Sequence, residues 1–171
     1  MKTSNSGAPT MKNTTNPKMA VGIDPGINGS MAFLTPADIE VVRLPVRSEK
    51  RSTRTMRFID AAKLHEILSV RCAGYDVTVF HENVFSMPDD TPMTAFSFGN
   101  SKGRIDAVLE VLGLKVIPIP PTTWKSRLGV TSDKKTSRRK CEALYPSTRF
   151  ASVDDCEAAL IATYGVLFHV T

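Results

Sequence analysis

The chain has little of what holds a fold together by means other than a core. Three cysteines, Cys72, Cys141 and Cys156, stand far apart with no Cys-x-x-Cys spacing. That excludes a disulfide framework and reads as reduced packing thiols of a cytosolic protein. Three histidines, His65, His81 and His169, share no zinc-type spacing, which argues against a structural zinc. No apolar run approaches the roughly 18 residues of a membrane span, and no signal-peptide pattern is visible. The expectation is a cytoplasmic protein with no membrane partner. The first 18 residues contain neither an acid nor an arginine, only a Ser/Thr/Asn-rich stretch with Lys2, Lys12 and Lys18. Residues 1–18 are therefore expected to be a disordered polar and basic tail, and 19–171 a single domain.

What is present fits a globular protein. Across 171 residues, 42% are hydrophobic and 23% charged, enough for one real core and too short for two ordinary domains. Four carboxylates stand at the edges of apolar runs: Asp24, Glu82, Asp154 and Glu157. An isolated carboxylate near a core costs several kcal/mol or neutralises, whereas carboxylates that share metal ions can stay charged. Their placement suggests one magnesium site assembled from three distant segments. The net charge is +5, so gathering these acids into one pocket leaves a more basic remaining surface, which suits a polyanion held around a metal.

The pattern along the chain alternates strands and helices. Residues 20–24, 30–35 and 39–44 read as three antiparallel strands in meander order, separated by turn chemistry. Residues 43–57 form a polar connection with Arg47, Lys50, Arg51 and Arg54, either a solvated loop or a nucleic-acid contact. Phe58, Ile59, Ala62, Leu64, Ile67 and Leu68 recur at helical spacing, with Gly74 as a stop. A fourth strand is expected over 76–84, a helix over about 94–112 and a fifth strand over 114–119, ended by Pro120-Pro121. Within that helix, Gly99 and Gly103 each cost about 1 kcal/mol relative to Ala, which predicts close backbone packing against a strand or partner helix. A basic segment from Trp124 to Lys140 leads into a helix starting near Asp133. Ser152-Val153-Asp154-Asp155 has the form of a capping box that opens a final helix. The fold class is α/β, a mixed sheet covered by helices.

Gly22-Ile23-Asp24-Pro25-Gly26 closing the first strand, Glu82-Asn83-Val84-Phe85 closing the fourth, and Asp154-x-x-Glu157 opening the last helix resemble the RuvC family of Holliday junction resolvases. The resemblance spans roughly residues 21–165. The short chain with its polar tail resembles phage or viral members as much as cellular ones, which would put it in a host cytoplasm. The resemblance implies a ribonuclease H-like five-stranded mixed sheet, three antiparallel strands then two further strands, flanked by helices. It also implies a homodimer that nicks opposing strands of four-way DNA junctions. The alternatives are a non-catalytic module binding branched DNA, and a related nuclease acting on flaps or RNA–DNA hybrids.

Phosphodiester cleavage by an in-line water uses one cation to activate the nucleophile and another to stabilise the leaving oxygen, about 3.5–4 Å apart. Magnesium prefers oxygen ligands, and manganese is expected to substitute. By resemblance, Asp24 bridges two metals, Glu82 completes one coordination sphere, and Asp154 with Glu157 the other. Many members carry Asp where this chain has Glu157. Asp154 and Glu157, three apart, reach one side of the helix, while Asp155 points elsewhere and fits the capping role. Pro120-Pro121-Thr122-Thr123-Trp124-Lys125 and Asp133-Lys134 resemble the lysine-bearing stretches that complete the resolvase site. Projection at about 100° per residue puts Lys134 within about 20° of the stripe of Ser137, Cys141 and Tyr145. A cation there opposes the helix dipole and loses hydration, so Lys134 reads as the site lysine, with a snorkelling lysine as the alternative. Lys125, Lys135, Arg138 and Arg139 are candidate DNA contacts; a solvated face is the alternative for the arginines and Lys140. Phe85 matches an aromatic that stacks on opened bases, although a Phe at a strand end is commonly core. Trp124 packs under the site or touches DNA.

Overall fold

The computed structural model describes residues 16–52, 54–85 and 88–169. In chain order the elements are β1 (Lys18–Asp24), β2 (Ser30–Leu34), β3 (Ile39–Arg43), β4 (Val46–Arg51), β5 (Arg54–Ile59), α1 (Ala61–Arg71), β6 (Asp76–Glu82), α2 (Pro92–Val111), β7 (Lys115–Ile119), α3 (Pro121–Leu128), α4 (Lys134–Leu144) and α5 (Val153–His169). β1, β2 and β3 form the antiparallel meander, and β6 and β7 extend it in parallel, giving the order β3-β2-β1-β6-β7. This is the mixed five-stranded sheet expected, with helices on both faces.

Strand alternation divides the apolar residues between two cores. Met19, Val21 and Ile23 of β1 and Val77 and Val79 of β6 pack with Leu64 and Leu68 of α1 and with Ile105 and Leu109 of α2. Ala20, Ala32 and Phe80 face the other way, toward Ala158, Ile161 and Ala162 of α5 and Trp124 of α3. Period two therefore sends Asp24 and Glu82 to the α5 face. α5 lies very close to the sheet: a Cβ on Gly22 would stand 2.3 Å from the Ala158 carbonyl oxygen and 2.4 Å from the Ala162 nitrogen. A Cβ on Gly165 would stand 2.2 Å from the Phe80 ring. Gly22 and the small residues of α5 are what let this helix, and the acids at its start, come down onto β1.

Several local expectations are corrected. The polar connection over 43–57 is a two-stranded ribbon, β4–β5, pairing from Val46↔Ile59 to Arg51↔Arg54. Phe58 and Ile59 belong to β5 rather than to the helix, because Asp60 caps α1, its side chain accepting from the Lys63 backbone N–H. An unforeseen helix, α3, starts on Pro121 and ends on Gly129 in the left-handed region at φ 67°. Pro is well suited to the first helical position and Gly to the residue after the last. Gly99 and Gly103 meet nothing within 4 Å of a built Cβ, so close packing within this chain does not explain them. The Pro17 carbonyl accepts from the Asp76 N–H at 2.9 Å and Lys18 opens β1. Most of the expected tail, residues 1–15, lies outside the described residues. Among the described residues no helix is long and apolar enough to cross a membrane.

Candidate active site

Two neighbouring parallel strands end on acids. The β1–β6 register runs to Ile23↔His81, so the next step places Asp24 beside Glu82 on one face of the sheet. α5 begins above this edge. Its capping box is reciprocal: Ser152 Oγ accepts from the Asp155 N–H at 3.1 Å, and Asp155 Oδ2 accepts from the Ser152 N–H at 2.9 Å. Asp155 Oδ1 also accepts from Ser30 Oγ at 2.6 Å, tying the helix start to β2. With Asp155 committed to the cap, Asp154 and Glu157 turn toward β1. One carboxylate oxygen from each of Asp24, Asp154 and Glu157 lies within 4.8 Å of the other two.

Glu82 stands outside that triplet and is gripped from below. It is 7% exposed, and the fully buried Trp124 donates from Nε1 to Glu82 Oε1 at 2.8 Å. Trp124 therefore packs under the acids, and its indole N–H has a charged partner. Glu157, also 7% exposed, accepts from Ser137 Oγ of α4 at 3.0 Å and faces Lys125 Nζ of α3 at 3.2 Å. Lys134 Nζ donates to Asp154 Oδ1 at 3.0 Å. Lys134 thus meets one of the acids, on the stripe where helical projection puts it, but its side chain is 64% exposed and keeps the hydration it was expected to lose. α3 and α4 each bring one lysine and one neutral donor to the acids of β1, β6 and α5.

The electrostatics follow from this crowding. Burial raises the Asp24 carboxyl well above the usual carboxylate range, with Glu82, Glu157 and Asp154 adding to the effect and Lys134 opposing it. Burial also raises Glu82, while the Trp124 hydrogen bond and Lys125 pull it back down. The hydrogen bond to Asp154 raises the Lys134 ammonium. Asp155 behaves oppositely. Burial pushes it up, but its bonds from Ser30 and Ser152 outweigh that and leave it low. Crowded acids with all-oxygen donors, Asp24 and Glu82 among them raised in proton affinity chiefly by burial, fit a hard divalent cation.

The candidate nucleic-acid contacts divide. Phe85 is 74% exposed just past Glu82, so it is not core. Lys135 and Arg139 are exposed, whereas Arg138 is half-buried and paired with Glu142 at 3.2 Å. Lys125 belongs to the acid cluster itself. Sequence reasoning missed Ser137, Ser30 and the hold of Trp124 on Glu82. Ser137 had a signal, since it shares the helical stripe of Lys134.

No protein-family model and no curated protein matches the chain. Solved structures do. Thermus thermophilus RuvC in complex with a Holliday junction substrate aligns with 90% of this chain and 97% of its own at 14% identity, TM-score 0.59. A second Thermus thermophilus RuvC structure aligns at 17% identity over 89% of this chain and 97% of its own, TM-score 0.51. The yeast mitochondrial Holliday junction resolvase Ydc2 aligns at 16% identity over 89% of this chain and 79% of its own, TM-score 0.50. At these identities the likeness is one of fold, and the chain has the ribonuclease H-like architecture of the RuvC-type resolvases.

Proposed function

We propose that the protein is a structure-selective DNA endonuclease that resolves four-way junctions by paired, magnesium-dependent nicks in opposing strands. The observation that carries this is the convergence of Asp24, Asp154 and Glu157 within 4.8 Å at the edge of a resolvase-type sheet, with Glu82 alongside. A surface built only to bind phosphates has no use for converging negative charge, which disfavours the non-catalytic module.

In this reading Asp24, Asp154 and Glu157 hold the cation directly, and Glu82, fixed by Trp124, takes part from the β6 side. Bound there, magnesium supplies Lewis-acid stabilisation of phosphoryl oxygens and a lowered pKa for a water nucleophile. Lys134 reaches the exposed side of Asp154, where it contacts the scissile phosphate or orients the attacking water. Ser137 and Lys125 hold Glu157 in place. Phe85, exposed beside Glu82, stacks on a base opened at the crossover. Lys135, Arg138 and Arg139 contact the phosphate backbone.

A homodimer accounts for α2. Phe96, Gly99 and Gly103 share one face, Phe96 is 60% exposed, and none of the described residues covers the two glycines. A two-fold dimer also presents two sites to the two symmetry-related strands of a junction.

The test compares a synthetic four-way junction, a flap and an RNA–DNA hybrid duplex as substrates, in magnesium or calcium, with wild type and Asp24→Asn. Paired nicks in the junction that need magnesium and vanish in Asp24→Asn are expected. No junction cutting by wild type, or full activity in Asp24→Asn, refutes the proposal. Preferential cutting of the flap or hybrid moves the protein to a different nuclease of this fold.

A further inference from the structure

Among the described residues the β4–β5 ribbon pairs only with itself, and its register sorts its side chains onto two faces. One face has Ser48 opposite Arg57 and Lys50 opposite Thr55; all four residues are exposed and no acid is among them. The other face carries Glu49, which pairs with Arg47 at 2.9 Å, and the buried Phe58, whose ring lies under the Arg104 guanidinium at 5.2 Å. Beyond the base formed by Val46 and Ile59, the first face is thus an open patch with two cations, two hydroxyls and no acid, whereas the second mixes Glu49 with arginines and packs through Phe58.

That open face makes poor sense for stability alone. Lys50 and Arg57 are diagonal neighbours, about 7–8 Å apart in such a pair, where like charges repel. A lone two-stranded ribbon is at best marginally stable and gains nothing from the repulsion. Its base, by contrast, is firmly attached. Ile59 is fully buried, and Val46 packs against the same core. The Leu44 N–H donates to the Gly29 carbonyl at 3.0 Å and the Asp60 N–H to the Pro45 carbonyl at 2.8 Å. Arg57 Nη1 reaches Asn28 Oδ1 at 3.5 Å. Asn28 and Gly29 belong to the turn that follows Asp24, so the ribbon leaves the domain beside the acidic site.

We propose that the Ser48/Lys50/Thr55/Arg57 face of the β4–β5 ribbon is a second DNA-binding surface, which grips the phosphate backbone of a duplex arm leading into the acidic site. Two cations interleaved with two hydroxyls on one side of a ribbon match a phosphate backbone, which accepts hydrogen bonds from both. At about 3.3 Å per residue the strands carry the face roughly 15 Å beyond the buried base, along an arm and away from the crossover. The inference rests on the junction-nuclease reading and extends it from the cleavage centre to the arm.

The test measures binding of a fluorescent long-armed four-way junction against salt concentration, in an Asp24→Asn background that leaves the DNA uncut. Lys50→Gln with Arg57→Gln should bind roughly tenfold more weakly, and the slope of log K against log salt should fall by about two. Lys50→Arg with Arg57→Lys should keep the parent slope. Lys18→Gln with Lys115→Gln removes the same charge at the opposite end of the strands and should change both readings far less. Trimming the arms should remove the parent's advantage over the glutamine pair. Thermal melts of each variant should match the parent, since both side chains are exposed. Parent binding with no difference between the two glutamine pairs overturns the ribbon proposal alone. Failure of the parent to bind the junction overturns the junction reading, and this inference with it.

Discussion

Gly22→Ala tests whether the site depends on the close approach of α5 to β1. The added Cβ would stand 2.3 Å from the Ala158 oxygen and 2.4 Å from the Ala162 nitrogen, both backbone atoms of a helix that cannot yield locally. Restoring ordinary contact moves α5 off the strand by roughly 1 Å, an overpacking cost of about 1–3 kcal/mol. For a domain of this size that is a fall in Tm of about 2–12 °C. The helix carries Asp154 and Glu157 with it, away from Asp24; a shift of about 1 Å costs on the order of 100-fold in rate, and ligands that lose their support give up as much as about 100-fold in metal affinity. A ligand present at 100 times its Kd stabilises by about 2.7 kcal/mol; weakened 100-fold, it gives only about 0.4. Manganese that raises the wild-type Tm by about 5–10 °C should therefore raise that of Gly22→Ala by about 1 °C. Differential scanning fluorimetry against a manganese series, with junction cleavage beside it, reads both effects. A variant with the wild-type Tm and the wild-type response to manganese would refute the packing argument.

Trp124→Phe removes the indole donor from a buried carboxylate; loss of a charge-assisted bond of about 1.5–3 kcal/mol should lower Tm, and cleavage should drop about 10–100-fold. An unchanged melt and rate would remove Trp124 from the site. Lys134→Ala should leave Tm within a degree or two, because its ion pair is solvent-exposed, yet slow cleavage about 100-fold or more at saturating DNA. Asp24→Asn should melt higher than wild type in EDTA at neutral pH and lose the rise given by manganese. The Asp24 carboxyl is raised in the folded state, so the native protein binds the extra proton; without metal, the stability that Asp24 contributes is fully present below the unfolded carboxylate pKa and is lost as pH climbs through the folded value. Asp24→Asn should flatten that fall, and an equal slope in EDTA would contradict the crowding of the acids.

The acids were legible because each breaks an apolar run, and a carboxylate there has few structural uses. The capping box went further, separating Asp155 from Asp154 by pattern alone, and the bonds to Ser152 bear out that separation. The five-stranded sheet was legible as short apolar runs bounded by turn chemistry, since both of its faces are buried. The β4–β5 ribbon was not, because solvent lies against most of it and no core imposes an alternation on its side chains. α3 was hidden by the two readings of Pro120-Pro121, which both ends a strand and opens a helix. The grip of Trp124 on Glu82 spans 42 residues and leaves no local pattern.

The lysines explain why the acids tolerate one another and still leave room for a cation. Asp24, Glu82, Asp154 and Glu157 bring four formal negative charges, against two from Lys125 and Lys134. The start of α5 adds only the partial positive charge of its free N–H groups. Were the lysines absent, the repulsion would fall entirely on groups that burial already disfavours as anions. Were there four, the carboxylates would be neutralised and a divalent ion would gain little by entering. Half-compensation leaves Asp24 raised, by its burial first and by the neighbouring acids second. In the proposed nuclease, Lys134, supplied from α4 and mostly in solvent, is also the member most easily turned from Asp154 toward an incoming phosphate, so the charge paired with the free site would be the one offered to the substrate.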